Sequence, residues 1–146
     1  MTQNTEGKFR KAMNDQHPSY MVIKLQVNPA ANCRTPFDFI CQGVKHIAVE
    51  CKETKSDVFK LTEVKPHQVE GLLEWEATGK DSYSYILVRF EQYENVFFIP
   101  ISEYILVRDK WPKLSMHRLD MLIEFKNHLL IKDKQTSFIL NNTLFY

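Results

Sequence analysis

Apolar residues occupy alternate positions at Met21, Ile23, Leu25 and Val27, with Val22, Lys24 and Gln26 between them, the period of a half-buried strand over Tyr20 to Val27. Before it, Phe9, Ala12 and Met13 recur at i, i+3 and i+4, predicting a helix over Glu6 to Asn14 that ends at His17-Pro18-Ser19. After the loop Asn28 to Thr35, two apolar runs flank Gly43 and predict a β-hairpin through Lys52. Glu53 to Lys65 mixes charge with scattered apolar residues and reads as an extended connection. Pro66 suits a helix's first turn; the helix runs to about Ala77 and stops at Thr78-Gly79. Ser84 to Phe90 and Val96 to Ile99 are apolar nearly throughout, the signature of central strands. Ser102 and Ser115 are expected to cap two short helices, and Leu129 to Ile131 and Ser137 to Leu140 are short β-like runs. Helix, three strands, helix, two strands and small helices together predict one α/β domain over residues 1–146, a mixed sheet with helices on both faces.

Composition narrows the class. With 44% hydrophobic and 12% aromatic residues the chain is globular, and its net charge of +1 offers no overall basic field, so any nucleic-acid contact depends on a local patch. Cys33, Cys41 and Cys51 form an odd set without C-x-x-C spacing, which points to reduced thiols and a cytoplasmic protein. No apolar run reaches the length of a membrane span, and the polar start from Met1 to Lys8 does not read as a signal peptide.

The candidate chemistry lies in the hairpin. Glu50 and Lys52 share one face of a strand whose other residues are Ile47, Ala48, Val49 and Cys51, and Asp38 stands between Phe37 and Phe39. On an edge strand such carboxylates ordinarily reach water; inside an apolar sheet they need a charged partner. Turn length decides whether they meet. A two-residue loop sets Asp38 across from an odd-numbered residue such as Ile47, on the wrong face. A three- or five-residue loop through Gly43 brings it level or diagonal with Glu50. The odd-numbered loop is expected, with Gly43 in the left-handed conformation common in three-residue loops. Two carboxylates and a lysine then converge, an arrangement suited to a divalent cation facing a phosphodiester.

Pro36-Phe37-Asp38, followed twelve residues on by Glu50-Cys51-Lys52, resembles the PD-(D/E)xK nuclease signature. The continuation, Glu-Cys-Lys-Glu-Thr-Lys, a linker, then Lys-Pro-His-Gln-Val-Glu-Gly-Leu-Leu, resembles the RecU-like Holliday junction resolvases, especially their short phage and mobile-element forms, over most of the chain. The resemblance implies a restriction-endonuclease-like fold and a metal-dependent endodeoxyribonuclease that resolves four-way junctions by paired nicks. It implies Mg2+ (with Mn2+ as substitute) on Asp38, Glu50 and the backbone carbonyl of Cys51, with Lys52 activating water and neutralising the phosphate. Gln68 would orient water or touch phosphate, and Arg34, Lys55, Lys60 and Lys65 would hold the DNA backbone. Related nucleases often carry a first-helix glutamate in a pattern like Gly-Lys-x-Phe-Glu. Here Gly7-Lys8-Phe9-Arg10 departs from it, and Glu6, one helical turn from Arg10, is the candidate substitute. Paired nicks imply a homodimer, with no organic cofactor and no membrane. The alternatives are a duplex-cutting enzyme of the same superfamily, or a junction-binding protein whose nuclease centre has decayed.

Overall fold

The computed structural model describes residues 4–26, 35–140 and 142–146. The first helix, α1 (Thr5–Gln16), begins where the Asn4 side chain accepts the Gly7 N–H at 2.7 Å, an N-cap that satisfies one orphan amide of the first turn. Its buried stripe of Phe9, Ala12 and Met13 is the periodicity read from the sequence. Three strands follow, β1 (Met21–Lys24), β2 (Phe39–Gln42) and β3 (His46–Thr54). Next come the short β4 (Val58–Lys60), a 3-10 turn over Leu61–Glu63, and α2 (Pro66–Glu76). The strands β5 (Ser82–Phe90) and β6 (Asn95–Pro100) lead into α3 (Ile101–Lys110), β7 (Ser115–His117) and α4 (Arg118–Glu124). The chain closes with β8 (Ile131–Asp133), β9 (Ser137–Ile139) and α5 (Asn142–Phe145).

Five strands form one mixed sheet in the order β1-β2-β3-β5-β6, parallel between β3 and β5 and antiparallel elsewhere. Because side chains alternate across a strand, β3 feeds two cores. Ile47, Val49 and Cys51 pack with Phe9 and Met13 of α1, while Ala48 packs with Leu72 of α2 and with Ile86 and Ile99. Helices therefore cover both faces, α1 on one side and α2 and α3 on the other, as expected of an α/β mixed sheet.

The hairpin register pairs Gln42 with His46 and Phe39 with Val49, leaving the odd-numbered loop Gly43-Val44-Lys45. The expected reason for the glycine is wrong, however. No glycine among the described residues has a positive φ. A Cβ on Gly43 would lie 2.8 Å from the ring of Tyr20, so the position is small because an aromatic ring lies against it.

Other expectations change for reasons of position. Met21 (66% exposed) and Ile23 (40%) face outward rather than into a core, because β1 is the edge strand and α2 lies over β3 and β5. β6 is the other end of the sheet rather than a central strand, although Phe97 bridges to Leu129 beyond it. The connection from Glu53 to Lys65 contains β4, which pairs with β7 through Phe59 and Met116; three-residue strands are too short to show a period. Ser102 lies inside α3, because β6 runs straight into the helix at Pro100. Ser115 begins β7, and α4 is capped instead by His117, whose ring nitrogen accepts the Leu119 N–H at 3.1 Å.

Candidate active site

The site forms where β2 and β3 part. Their last backbone bond runs from the Asp38 N–H to the Val49 carbonyl at 3.1 Å, and the Asp38 carbonyl turns the other way to accept the Leu25 N–H at 2.8 Å. Beyond that point the Asp38 carboxylate takes over: its Oδ2 accepts the Cys51 N–H at 2.8 Å, in the place a strand carbonyl would occupy. N–H and C=O of one residue in an extended strand point to the same edge, so the Cys51 carbonyl opens toward this fork as well. The Cys51 thiol is buried among the α1-side residues, where burial first and then the charges of Asp38, Glu50 and Glu6 push its pKa well up.

From the α2 side come Glu50, Lys52 and Gln68. Glu50 is only 2% exposed. Its Oε2 accepts from Lys52 Nζ at 3.0 Å and from Gln68 Nε2 at 2.9 Å. Gln68 owes its orientation to the helix start: its Oε1 accepts the Lys65 N–H at 2.9 Å, so the amide spans from the N-terminal end of α2 to the carboxylate. Both ends of that amide are engaged, which makes Gln68 a holder of Glu50. From the α1 side come Glu6, in the first turn, and Lys24, at the end of β1, joined as an ion pair. Arg89 is buried beneath that first turn, reaching Thr5 Oγ1 at 3.5 Å, Glu53 at 3.6 Å, and Glu94. Asp38 lies between the two groups and feels the charges of Glu6, Lys24 and Lys52.

Burial sets the electrostatics. It pushes the Glu50 pKa up to about 7, the neighbouring Asp38 charge pushes the same way, and Lys52 opposes them. Asp38 is raised too, first by burial, with the Cys51 N–H pulling it back. Glu50 Oε1 is buried without a hydrogen-bond partner. A carboxylate oxygen left so is costly unless a cation completes it. Among the described residues no three His, Cys, Asp or Glu side chains cluster as ligands. Two carboxylates and a backbone carbonyl suit an ion such as magnesium, which keeps several of its waters. The donor set and the orphan oxygen therefore fit a hard divalent cation.

The fork thus gathers Asp38, Glu50, Lys52, Gln68 and the Cys51 backbone, with Glu6 at its α1 edge. Lys55 and Lys60 are exposed and line a cleft with Glu53 and Glu63, and Lys65 is exposed at the start of α2. Arg34 lies outside the described residues. The alternating pattern does not single out Lys24, because it puts the residue opposite Met21, Ile23 and Leu25 with Val22 and Gln26. Its position follows from pairing opposite Phe39, next to Asp38, a register the sequence pattern does not give.

No curated protein matches the chain. Among solved structures, the Holliday junction resolvase Hjc of the archaeal hyperthermophile Archaeoglobus fulgidus superposes with a TM-score of 0.51 at 14% identity, over 79% of this chain and 87% of that one. That likeness gives the fold its class, restriction-endonuclease-like. Residues 28–141, which include Asp38, Glu50, Lys52 and Gln68, match the family model for RecU, recombination protein U, and the chain belongs to that family.

Proposed function

We propose that the protein is a metal-dependent endodeoxyribonuclease that resolves four-way DNA junctions. Membership of the RecU family and a fold shared with an archaeal junction resolvase support the substrate class. The observation that carries the chemistry is Glu50: a buried carboxylate with one oxygen held by Lys52 and Gln68 and the other without a partner, beside Asp38.

Asp38, Glu50 and the Cys51 carbonyl would hold the divalent ion, magnesium or, as a substitute, manganese. Such an ion supplies Lewis-acid polarisation and positive charge at the phosphate. The chain does the rest. Lys52, fixed against Glu50 yet partly open to solvent, orients the attacking water and neutralises charge that builds on the phosphate in the transition state. Gln68 keeps Glu50 aimed at the ion, and Glu6 with Lys24 closes the α1 side. Phosphodiester hydrolysis lies at the demanding end of enzymatic rate enhancement, so positioning and charge stabilisation must act together. Arg34, Lys55, Lys60 and Lys65 contact the DNA backbone, and two copies related by a two-fold axis make the paired, symmetric nicks.

The test is a four-way junction and a linear duplex of the same sequence, each incubated with the protein and magnesium. Junction-only nicking is expected; efficient duplex cutting points to a restriction- or repair-type nuclease, and binding without cutting to a decayed centre. Glu50→Ala should abolish nicking and keep junction binding, and wild-type cutting by that variant removes Glu50 from the mechanism.

A further inference from the structure

The fork contains more lysine than a cation site of two carboxylates needs. Lys52 belongs to Glu50 on the α2 side. Lys24 comes from a different strand, β1, and pairs with Glu6 on the α1 side. Both members of the Lys24–Glu6 pair are about one-third exposed, so they stand at the open edge of the site. Lys24 also acts electrostatically on Asp38, which lies between the two pairs.

We propose that Lys24 is the site's second cation, occupying with its ammonium the side of Asp38 where a second divalent ion would otherwise bind, so that each chain takes up one metal ion. This rests on the reading of Asp38 and Glu50 as the ion's carboxylate ligands. Two observations lead to it. The first is that the carboxylate a second ion would share with Asp38, that of Glu6, is already held by Lys24. An ion entering there has to displace the ammonium or sit against it, and like charges at such separations repel strongly away from bulk water. The second is the charge balance. Glu6, Asp38 and Glu50 against Lys24 and Lys52 leave one net negative charge when all are ionised. In the absence of DNA one divalent ion takes that to one positive charge and a second would take it to three, whereas without Lys24 the same two ions leave two. The arrangement thus assigns Lys24 a direct electrostatic role at the phosphate, on the side of the fork opposite Lys52.

The experiment is a titration of the full chain with Mn2+, counting bound ions by the loss of the free-ion electron paramagnetic resonance signal. One ion per chain is expected for wild type. Lys24→Met, which keeps all but the last heavy atom's reach of the side chain and removes its charge, frees Glu6 and should bind two. The double variant Lys24→Met/Glu6→Gln should return to one. Two ions on wild type, or a single ion on folded Lys24→Met, overturns the proposal and leaves the Asp38–Glu50 site intact. No ion on wild type overturns that site and the proposal with it. Glu6→Gln in the otherwise native chain provides the check if Lys24→Met does not fold. One ion per chain is expected, held more weakly because a negative charge is lost, and a folded variant that binds none makes Glu6 a ligand and sinks the assignment.

Discussion

In the folded chain Glu50 gives up its proton near pH 7, against 4.5 for an unperturbed glutamate. Between those values the native state binds the proton more tightly than the unfolded state does. Stability is therefore highest with Glu50 protonated and falls as pH rises from about 4.5 toward 7. The loss is on the order of 3 kcal/mol, caused first by burial and then by Asp38. Glu50→Gln removes that ionisation. In metal-free buffer its melting temperature should approach wild type at pH 5 and exceed it at pH 8, and parallel curves for the two proteins would contradict a raised pKa. Cleavage should climb through the same interval in wild type, since a cation is bound by the ionised carboxylate. Gln68 is testable apart from charge. Gln68→Ala strips one donor from Glu50 and leaves the Lys65 N–H without its cap, so Mn2+ affinity and cleavage should each drop about 10- to 100-fold. An unchanged Mn2+ titration would show that Lys52 alone can hold Glu50.

Two segments that lie apart in the chain are pressed together by a missing side chain. A Cβ on Gly71, in the middle of α2, would sit 2.4 Å from Pro36 Cβ and 3.1 Å from Pro36 Cα. Pro36 stands two residues before Asp38, so Gly71→Ala pushes the approach to the fork away from the helix that carries Gln68. A loss of about 1–3 kcal/mol is expected in chemical denaturation, with weakened Mn2+ binding. Gly79→Ala, whose Cβ meets Ser82 Oγ at an ordinary 3.5 Å, is the control and should stay within about 0.5 kcal/mol of wild type. Wild-type stability and Mn2+ binding in Gly71→Ala would show that the two segments can separate without harm. Elements with a strong period were legible beforehand: α1 from Phe9, Ala12 and Met13, α2 from Pro66 onward, and β5 from its apolar run. The short β4 and β7, the direct passage from β6 into α3 and the outward face of β1 were not. They depend on which neighbour covers which side, and no local pattern records that.

With a net charge of +1 the whole chain offers no general field for DNA, so the proposed contact depends on a few placed lysines. Junction affinity should fall steeply with salt, and Lys55→Ala or Lys60→Ala should lower the slope of log affinity against log salt by about one each if that side chain meets a phosphate. An unaltered slope would remove that lysine from the interface. Sedimentation at working concentration should give a two-chain species. At this scale the centre was half readable. Strand alternation alone set Glu50 with Lys52, and an odd loop set Asp38 level with them. Lys24 and Glu6 come from a strand edge and a helix turn, whose approach depends on tertiary packing. The parting of β2 and β3 has one more consequence, for how such a protein would age. Asp38 stands in for a missing peptide carbonyl on Cys51, so even a chain released from cutting DNA would have reason to keep it. Ionised Glu50 strains the molecule that contains it, and an idle lineage would shed it first.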